Sequence, residues 1–255
     1  MTASARVSVI IPTWNEAERL PTAIATARGA GVEILVADGG SSDDTVAVAR
    51  SLGARVVTSA AGRGQQLAAG AAAASGDLLV FLHADARLPV GYLEHVRTTL
   101  ADDATALGAF RLRIDGNGLA LRWIEWCVRV RSRWLCMPYG DQALFLRAAT
   151  YRRLGGFRDL PAMEDFDFVR RARRHGAVVV IEPAVLTSAR AWQRDGVIRL
   201  TMLNAACAIA CCFGVAPERV ASWRVRHRQA LAPAPSPPLP APEASPSTQH
   251  AHGRP

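Results

Sequence analysis

The chain is predicted to fold as an α/β protein, with a mostly parallel central sheet flanked by helices. Three observations carry this. Short apolar runs recur from Val7 to Leu82 with helical patterns between them. Asp-, Gly- and Ser-rich turns close several of those runs. The run Leu78 to Leu82 is apolar throughout rather than alternating, as in a strand buried on both faces. Strands alternating with helices at this spacing build βαβ units.

The elements follow in order. Val7 to Ile11 is the first strand, ended by Pro12. Asn15 and Glu18 have capping-box spacing for a helix reaching about Arg28, with Leu20, Ile24 and Ala27 on its inner face. Glu33 to Ala37 is the second strand and closes on Asp38-Gly39-Gly40-Ser41-Ser42-Asp43-Asp44. Asp43 caps a helix running through Val46 to Leu52. Arg55 to Thr58 is the third strand, and Gly62-Arg63-Gly64 opens an Ala-rich helix to about Ser75. The fourth strand stops on His83-Ala84-Asp85.

After Asp85 the pattern changes. Tyr92 to Leu100 is a helix and Leu107 to Ile114 a strand. Leu119, Trp123, Cys127 and Val130 form one helical stripe, with Trp126 beside it and Arg122, Arg129 and Arg133 mostly elsewhere. The stripe reads as a core face; a basic amphipathic helix resting on a membrane is the other reading. Pro138-Tyr139-Gly140-Asp141-Gln142 precedes an apolar strand to Leu146. Met163 to Phe168 begins a helix, acidic at its positive end, that Arg170 to Arg174 close with cations at the other; dipole pairing alone accounts for both charge groups. Val178 to Ile181 is a further strand. The apolar segment Val197 to Val215 carries Arg199 and Asn204, and reads as a buried or interfacial helix rather than a bilayer span.

The totals bound the rest. Half of the 255 residues are apolar, enough for a substantial core. Folded structure is expected over 1–228: a nucleotide-binding half (1–100), an acceptor half (101–195) and a C-terminal helical segment (196–228). The stretch 229–255 is rich in Pro and Ala and is expected to be disordered. All 30 cationic side chains are arginine, and the net charge is +8. That balance suits phosphates or an anionic membrane face, and equally a genome rich in arginine codons. No nucleic-acid motif accompanies it, so nucleic acid is not an expected partner. Five cysteines without paired spacing, and no secretory signal, predict reduced thiols in a cytoplasm, with the inner membrane face as the alternative place of work.

The turns after strands one, two and four fall at one sheet edge, where α/β proteins bind ligands. Pro12-Thr13-Trp14-Asn15-Glu16 stands where a dinucleotide fold has Gly-x-Gly-x-x-Gly, and Gly62-Arg63-Gly64 lacks the third glycine, which counts against NAD. A phosphate loop of the Gly-Lys-Ser type is excluded because the chain has no lysine. His83 and Asp85 can present an imidazole and a carboxylate to one divalent cation, or Asp85 alone can hold it while His83 touches a nucleotide.

Ile-Pro-Thr-Trp-Asn-Glu, Ala-Asp-Gly-Gly-Ser-Ser-Asp-Asp-Thr, the strand ending His-Ala-Asp, Gly-Gly-Phe, and Glu-Asp-x-Asp-Phe occur in this order. Together they resemble family 2 glycosyltransferases of the GT-A fold, from about Val7 to Trp192. Pro-Tyr-Gly-Asp-Gln and Ser-Ala-Arg-x-Trp further resemble a bacterial subgroup linked to arsenosugar biosynthesis. Related members glycosylate carotenoid acids or polyprenyl phosphates.

The resemblance implies a UDP- or GDP-sugar donor, inversion at the anomeric carbon, and Mn²⁺ or Mg²⁺. It implies that Pro12, Thr13, Trp14 and Glu16 hold the nucleoside, that Asp38 meets the base, and that Arg63 lies by the nucleotide. His83-Ala84-Asp85 matches the family's metal-binding Asp-x-Asp, with a histidine in the first place. Asp165 matches the general base. Arg190 and Trp192 resemble the end of a Gln-x-x-Arg-Trp element whose glutamine is missing here, which puts processivity in doubt; Arg190 suits a diphosphate because a guanidinium binds two oxygens at once. Asp141 stands just before a strand, where an acceptor could be held; it could equally cap a turn. The acceptor is a hydroxyl compound of unknown identity, lipid-linked if the Trp-bearing helices meet a membrane. A non-catalytic nucleotide-binding module of the same fold is the alternative function, and a nucleotidyltransferase is disfavoured because the first strand has no Gly-rich basic loop after it.

Overall fold

The computed structural model describes residues 5–231, so most of the Pro/Ala-rich tail lies outside the described residues. Strands β1 (Val7–Thr13), β2 (Val32–Asp38), β3 (Arg55–Thr58) and β4 (Leu78–Phe81) are parallel to one another. Helices α1 (Leu20–Ala27), α2 (Thr45–Ser51) and α3 (Arg63–Ala73) connect them. Next come β5 (Ala86–Arg87), α4 (Tyr92–Ala101), β6 (Thr105–Asp115) and α5 (Leu119–Trp134). They are followed by β7 (Phe145–Arg147), α6 (Ala148–Arg153), α7 (Glu164–Ala172) and β8 (Ala177–Ser188). Helices α8 (Arg190–Asp195), α9 (Val197–Cys212) and α10 (Pro217–Leu231) complete the described chain.

The eight strands form one sheet in the order β3-β2-β1-β4-β7-β6-β8-β5. Its first half is parallel, as the sequence predicts. The second half is mixed: β7 is antiparallel to β4 and β6, while β8 runs parallel to β6.

Side chains alternate between the two faces of a strand. Val7, Val9 and Ile11 of β1 pack with Leu20 and Ile24 of α1 and with Tyr92 and Val96 of α4. Ile10, Leu79 and Phe81 face the other way, against Leu67 of α3, Phe168 and Val169 of α7 and Cys207 of α9. Both faces are covered, which is why these strands read as unbroken apolar runs. Each large apolar side chain so buried contributes roughly 1.5–3 kcal/mol. A third, smaller cluster joins Leu112 and Ile114 of β6 to Leu121 and Ile124 of α5, Trp192 of α8 and Leu200 of α9.

Four expectations are corrected. β1 runs through Pro12 to Thr13. Its pairing with β4 stops at Ile10, so Pro12 sits where one flank of the strand has no ladder to break. The Asn15 capping box does not form: α1 begins at Leu20 without a side-chain cap, and Asn15 has a left-handed φ of 55°. β8 is longer than Val178 to Ile181 because a bulge absorbs Glu182 and Pro183, where the register with β6 jumps from Ile181 to Ala184. Finally, the Leu119-Trp123-Val130 stripe does not face the core. Leu119, Trp123 and Trp126 are exposed, and α5 buries Leu121 and Ile124 instead.

No helix among the described residues is long and apolar enough to cross a membrane.

Candidate active site

The turns after β1 and β2 are laced together. The carbonyl oxygen of the Asn15 side chain accepts from the Ser42 N–H at 2.8 Å, and Ser41 Oγ accepts from the Asn15 N–H at 2.9 Å. The Glu16 N–H donates to Thr45 Oγ1 at 2.9 Å. The first two of these bonds, rather than a helix cap, are what Asn15 supplies.

Asp38 ends β2 and is buried. Its Oδ2 accepts from the Gly40 and Ser41 N–H groups, each at 2.9 Å, and its Oδ1 from Ser41 Oγ at 2.6 Å and Thr13 Oγ1 at 3.2 Å. Burial pushes this carboxyl up, but the bonds from Ser41, Gly40 and Thr13 together hold it below the usual aspartate range. Both oxygens are engaged by the turn itself, so a nucleoside base reaching Asp38 must displace one of those donors. Beneath it lies Gln66, which the sequence reading missed. Its Nε2 donates to the Thr13 carbonyl at 2.5 Å and the Ala37 carbonyl at 3.1 Å, tying together the ends of β1 and β2. The one signal for it was a glutamine pair in an otherwise Ala-rich helix.

The end of β4 faces two arginines. Arg190 Nη2 lies 2.8 Å from Glu16 Oε1 and 3.6 Å from Asp85 Oδ2. Burial pushes the Asp85 carboxyl up, and Glu16 pushes it further; Arg190 and Arg63 pull it back. Arg63, at the start of α3, pairs with the buried Glu164 at 3.4 Å. The charges of Glu164, then Asp165, Asp141 and Asp85, together make this guanidinium hold its proton more firmly than usual.

Gly140 sits between His83 and Asp165. A Cβ at this position would fall 3.2 Å from both His83 Nε2 and Asp165 Oδ2. The Gly140 N–H donates to Asp165 Oδ2 at 2.8 Å, and the Phe166 N–H donates to Asp165 Oδ1 at 2.7 Å. His83 has its pKa lowered to about 3, first by burial and then by the charge of Arg63, so it stays neutral near pH 7.

Asp141 follows, in a 3₁₀ turn spanning Gly140–Gln142. Its Oδ1 is buried without a hydrogen-bond partner. Burial pushes its carboxyl up to about 6, and Arg131 draws it partly back. The Arg131 guanidinium stacks on the Tyr139 ring at 3.4 Å, and its Nε also lacks a partner. Gln142 pins the turn: Ser132 Oγ donates to its Oε1 at 2.8 Å and its Nε2 donates to the Phe110 carbonyl at 3.0 Å.

Of the remaining expected residues, Trp14 is 63% exposed at the rim. Pro12 is buried within β1. Ala84 and Trp192 are packing residues here: Ala84 lies in the first cluster and Trp192 in the third. Their side chains fill the core, and it is Arg190, two residues before Trp192, that reaches Glu16 and Asp85.

A divalent cation was expected at His83 and Asp85. Among the described residues, no three His, Cys, Asp or Glu side chains gather into a complete metal site. As a donor set, one imidazole and one carboxylate a residue apart at the end of β4 would suit a cation whose shell the substrate completes. A small divalent ion commonly takes one or two protein donors and fills its shell with phosphate oxygens and water.

The sheet and the turns at its edge have the α/β architecture of the GT-A fold. The profile described as glycosyl transferase family 2 matches residues 8–154. The chain belongs to that family and is a glycosyltransferase. It is 29% identical over 231 residues to an undecaprenyl-phosphate 4-deoxy-4-formamido-L-arabinose transferase of Sodalis glossinidius, covering 85% of this chain and 70% of the relative. It is 35% identical over 125 residues to an uncharacterized glycosyltransferase of Mycobacterium tuberculosis, covering 49% of this chain and 55% of that relative. The chain thus spans about half the length of the mycobacterial protein. Among solved structures, the Pyrobaculum calidifontis mannosyltransferase in complex with GDP-Man and Mn²⁺ superposes with a TM-score of 0.63 at 21% identity, over 90% of this chain and 72% of that one. Staphylococcus aureus TarS 1-349 in complex with UDP-GlcNAc gives 0.56 at 16% identity, over 72% and 58%. At such identities the likeness is one of fold.

Proposed function

We propose that the chain transfers a sugar from a UDP- or GDP-linked donor to a hydroxyl acceptor, with inversion at the anomeric carbon. The observation that carries this is the grouping of Arg63 and Arg190 with Asp85, Asp165 and the neutral His83 at one sheet edge. Arg190 and Arg63 bind the diphosphate. Asp165, oriented by the Gly140 N–H, takes the proton of the acceptor hydroxyl as its oxygen bonds to the anomeric carbon. The bond from that carbon to the β-phosphate oxygen breaks, and the nucleoside diphosphate departs with the electron pair. Asp85 and His83 would hold Mn²⁺ or Mg²⁺, which would supply neutralising charge for the diphosphate. Thr13, Trp14, Glu16 and Asp38 shape the nucleoside end, and Asp141 faces the acceptor.

Residues 1–228 act as one domain in this reading, with donor-binding and acceptor halves meeting at His83 and Gly140. The Sodalis relative carries undecaprenyl phosphate in its name, which supports an acceptor carried on a lipid and work at a membrane surface. The elements around Asp141 and Arg190 support the narrower subgroup linked to arsenosugar biosynthesis.

A thermal-shift series of UDP- and GDP-sugars, each with and without Mn²⁺, tests the reading. One donor is expected to raise the melting temperature only when metal is present. Indifference to every nucleotide sugar removes the proposal.

A further inference from the structure

Helix α5 is apolar on two faces. Leu121, Ile124 and the partly buried Val128 pack into the third cluster. Leu119, Trp123, Trp126, Val130 and Trp134 do not: they are 89, 54, 60, 37 and 80% exposed. At about 100° per residue these five side chains lie within an arc of about 80°. Helix α9, in contact with α5, repeats the pattern. Ile198, Met202, Ile209 and Phe213 stand at the offsets of Leu119, Trp123, Val130 and Trp134, and are 71, 67, 57 and 84% exposed. Two neighbouring helices therefore each keep one apolar stripe for the core and turn a second one to solvent.

A basic cleft adjoins the first stripe. It has a volume of about 340 Å³ and is lined by Arg111, Arg113, Arg122 and Arg129 with Glu125 and Trp126. Arg111, Arg129 and Arg133 share a single carboxylate, Glu182, at 3.4–3.5 Å. Arg122 pairs with Glu125 at 2.9 Å. Cationic charge here exceeds anionic charge, and Trp126 belongs both to the stripe and to the cleft.

We infer that the α5/α9 face docks on an anionic lipid bilayer, with the tryptophans at headgroup depth and a lipid phosphate received among the arginines of the cleft. Tryptophan with flanking arginine suits the bilayer interface, where the indole is half in hydrocarbon and the guanidinium meets phosphate. A second copy of the chain is the poorer occupant, because a two-fold contact sets this net-cationic face against an identical one. An anionic membrane neutralises that charge instead. The docked face is joined directly to the site: α5 carries Arg131, which stacks on Tyr139, and α9 follows α8, which begins at Arg190.

Sedimentation of the full chain with phosphatidylcholine vesicles, with and without phosphatidylglycerol, tests this. Binding is expected only to the anionic vesicles, with a blue shift of tryptophan emission and release by salt. Changing Trp123, Trp126 and Trp134 together to Ser is expected to weaken binding at least about tenfold. These side chains are exposed, so the far-ultraviolet circular dichroism and the donor-induced thermal shift should be kept. Equal binding to neutral and anionic vesicles, or none to either, overturns the inference. So does a solution dimer that the triple variant dissociates, which would name a second copy as the occupant. The sugar-transfer reading fails separately: its loss removes the donor-induced shift and leaves vesicle binding in place.

Discussion

Arg190 Nη2 stands 2.8 Å from Glu16 Oε1 and 3.6 Å from Asp85 Oδ2, although Glu16 and Arg190 are 174 residues apart. One guanidinium thereby joins the turn after β1, the end of β4 and the start of α8. Without it, the carboxylates of Glu16 and Asp85 repel each other with no cation between them. Arg190→Ala is expected to lower kcat/KM by about 10²–10³-fold, the usual effect of removing one donor to developing charge. Arg190→Lys should recover only part, since an ammonium cannot bridge two partners in a plane. Steady-state kinetics on the donor identified by thermal shift gives the answer, and wild-type rates in the alanine variant would return Arg190 to the status of a surface charge.

Asp165 and Gly140 make a second test. Asp165→Asn keeps the shape of the side chain and one of its two backbone bonds, from Gly140 or Phe166, but removes its basicity. Transfer is expected to fall by about 10²–10⁴-fold while calorimetric donor affinity stays near wild type. Gly140→Ala acts from the opposite side: its Cβ would lie 3.2 Å from both His83 Nε2 and Asp165 Oδ2. It should lower kcat, and metal-dependent donor affinity with it, because His83 is one of the two residues proposed to hold the cation. Normal turnover in Asp165→Asn would move the base elsewhere.

The sequence disclosed the parallel half of the sheet and the clustering of turns, because buried strands and Gly/Asp-rich loops leave local patterns. It disclosed much less about contacts between distant turns. Asn15 has the spacing of a helix cap, yet its carbonyl bonds the loop after β2; a local motif and a long-range one look identical in one dimension. The Leu119-Trp123-Val130 stripe was read inward because periodicity gives the width of an apolar face and not its direction. Two such faces on one helix have the same period, and only packing tells Leu121 from Trp123. Gln66 was silent for a related reason: a buried amide holding two carbonyls leaves no spacing rule behind.

Gln66→Leu tests that amide. It preserves bulk but leaves the Thr13 carbonyl with one donor fewer and removes the bond to Ala37. Stability is expected to fall by about 1–3 kcal/mol, read from the urea midpoint at unchanged slope. Donor affinity should fall as well, because the ends of β1 and β2 carry the nucleoside turns. An unchanged midpoint would mean that Gln66 only fills space.

Asp141 gives a prediction with a definite sign. Its carboxyl moves from 3.8 to about 6, chiefly through burial; Arg131 and Arg63 draw it down, and Asp165 drives it up. A raised acid binds its proton more tightly in the folded chain than in the unfolded one. Its contribution to stability is therefore fully present below pH 3.8 and is lost as pH rises through about 6. Asp141→Asn removes the charge that burial opposes. The variant is expected to melt higher than wild type at about pH 7.5, and the gap should close as pH falls through about 6 towards 4. Transfer should weaken at the same time, since the buried oxygen left without a partner is the one proposed to meet the acceptor. Greater stability with lower activity is the trade expected of a functional carboxylate. A variant that melts lower at every pH would show instead that Asp141 supports the Gly140–Gln142 turn, and the acceptor would have to be sought elsewhere.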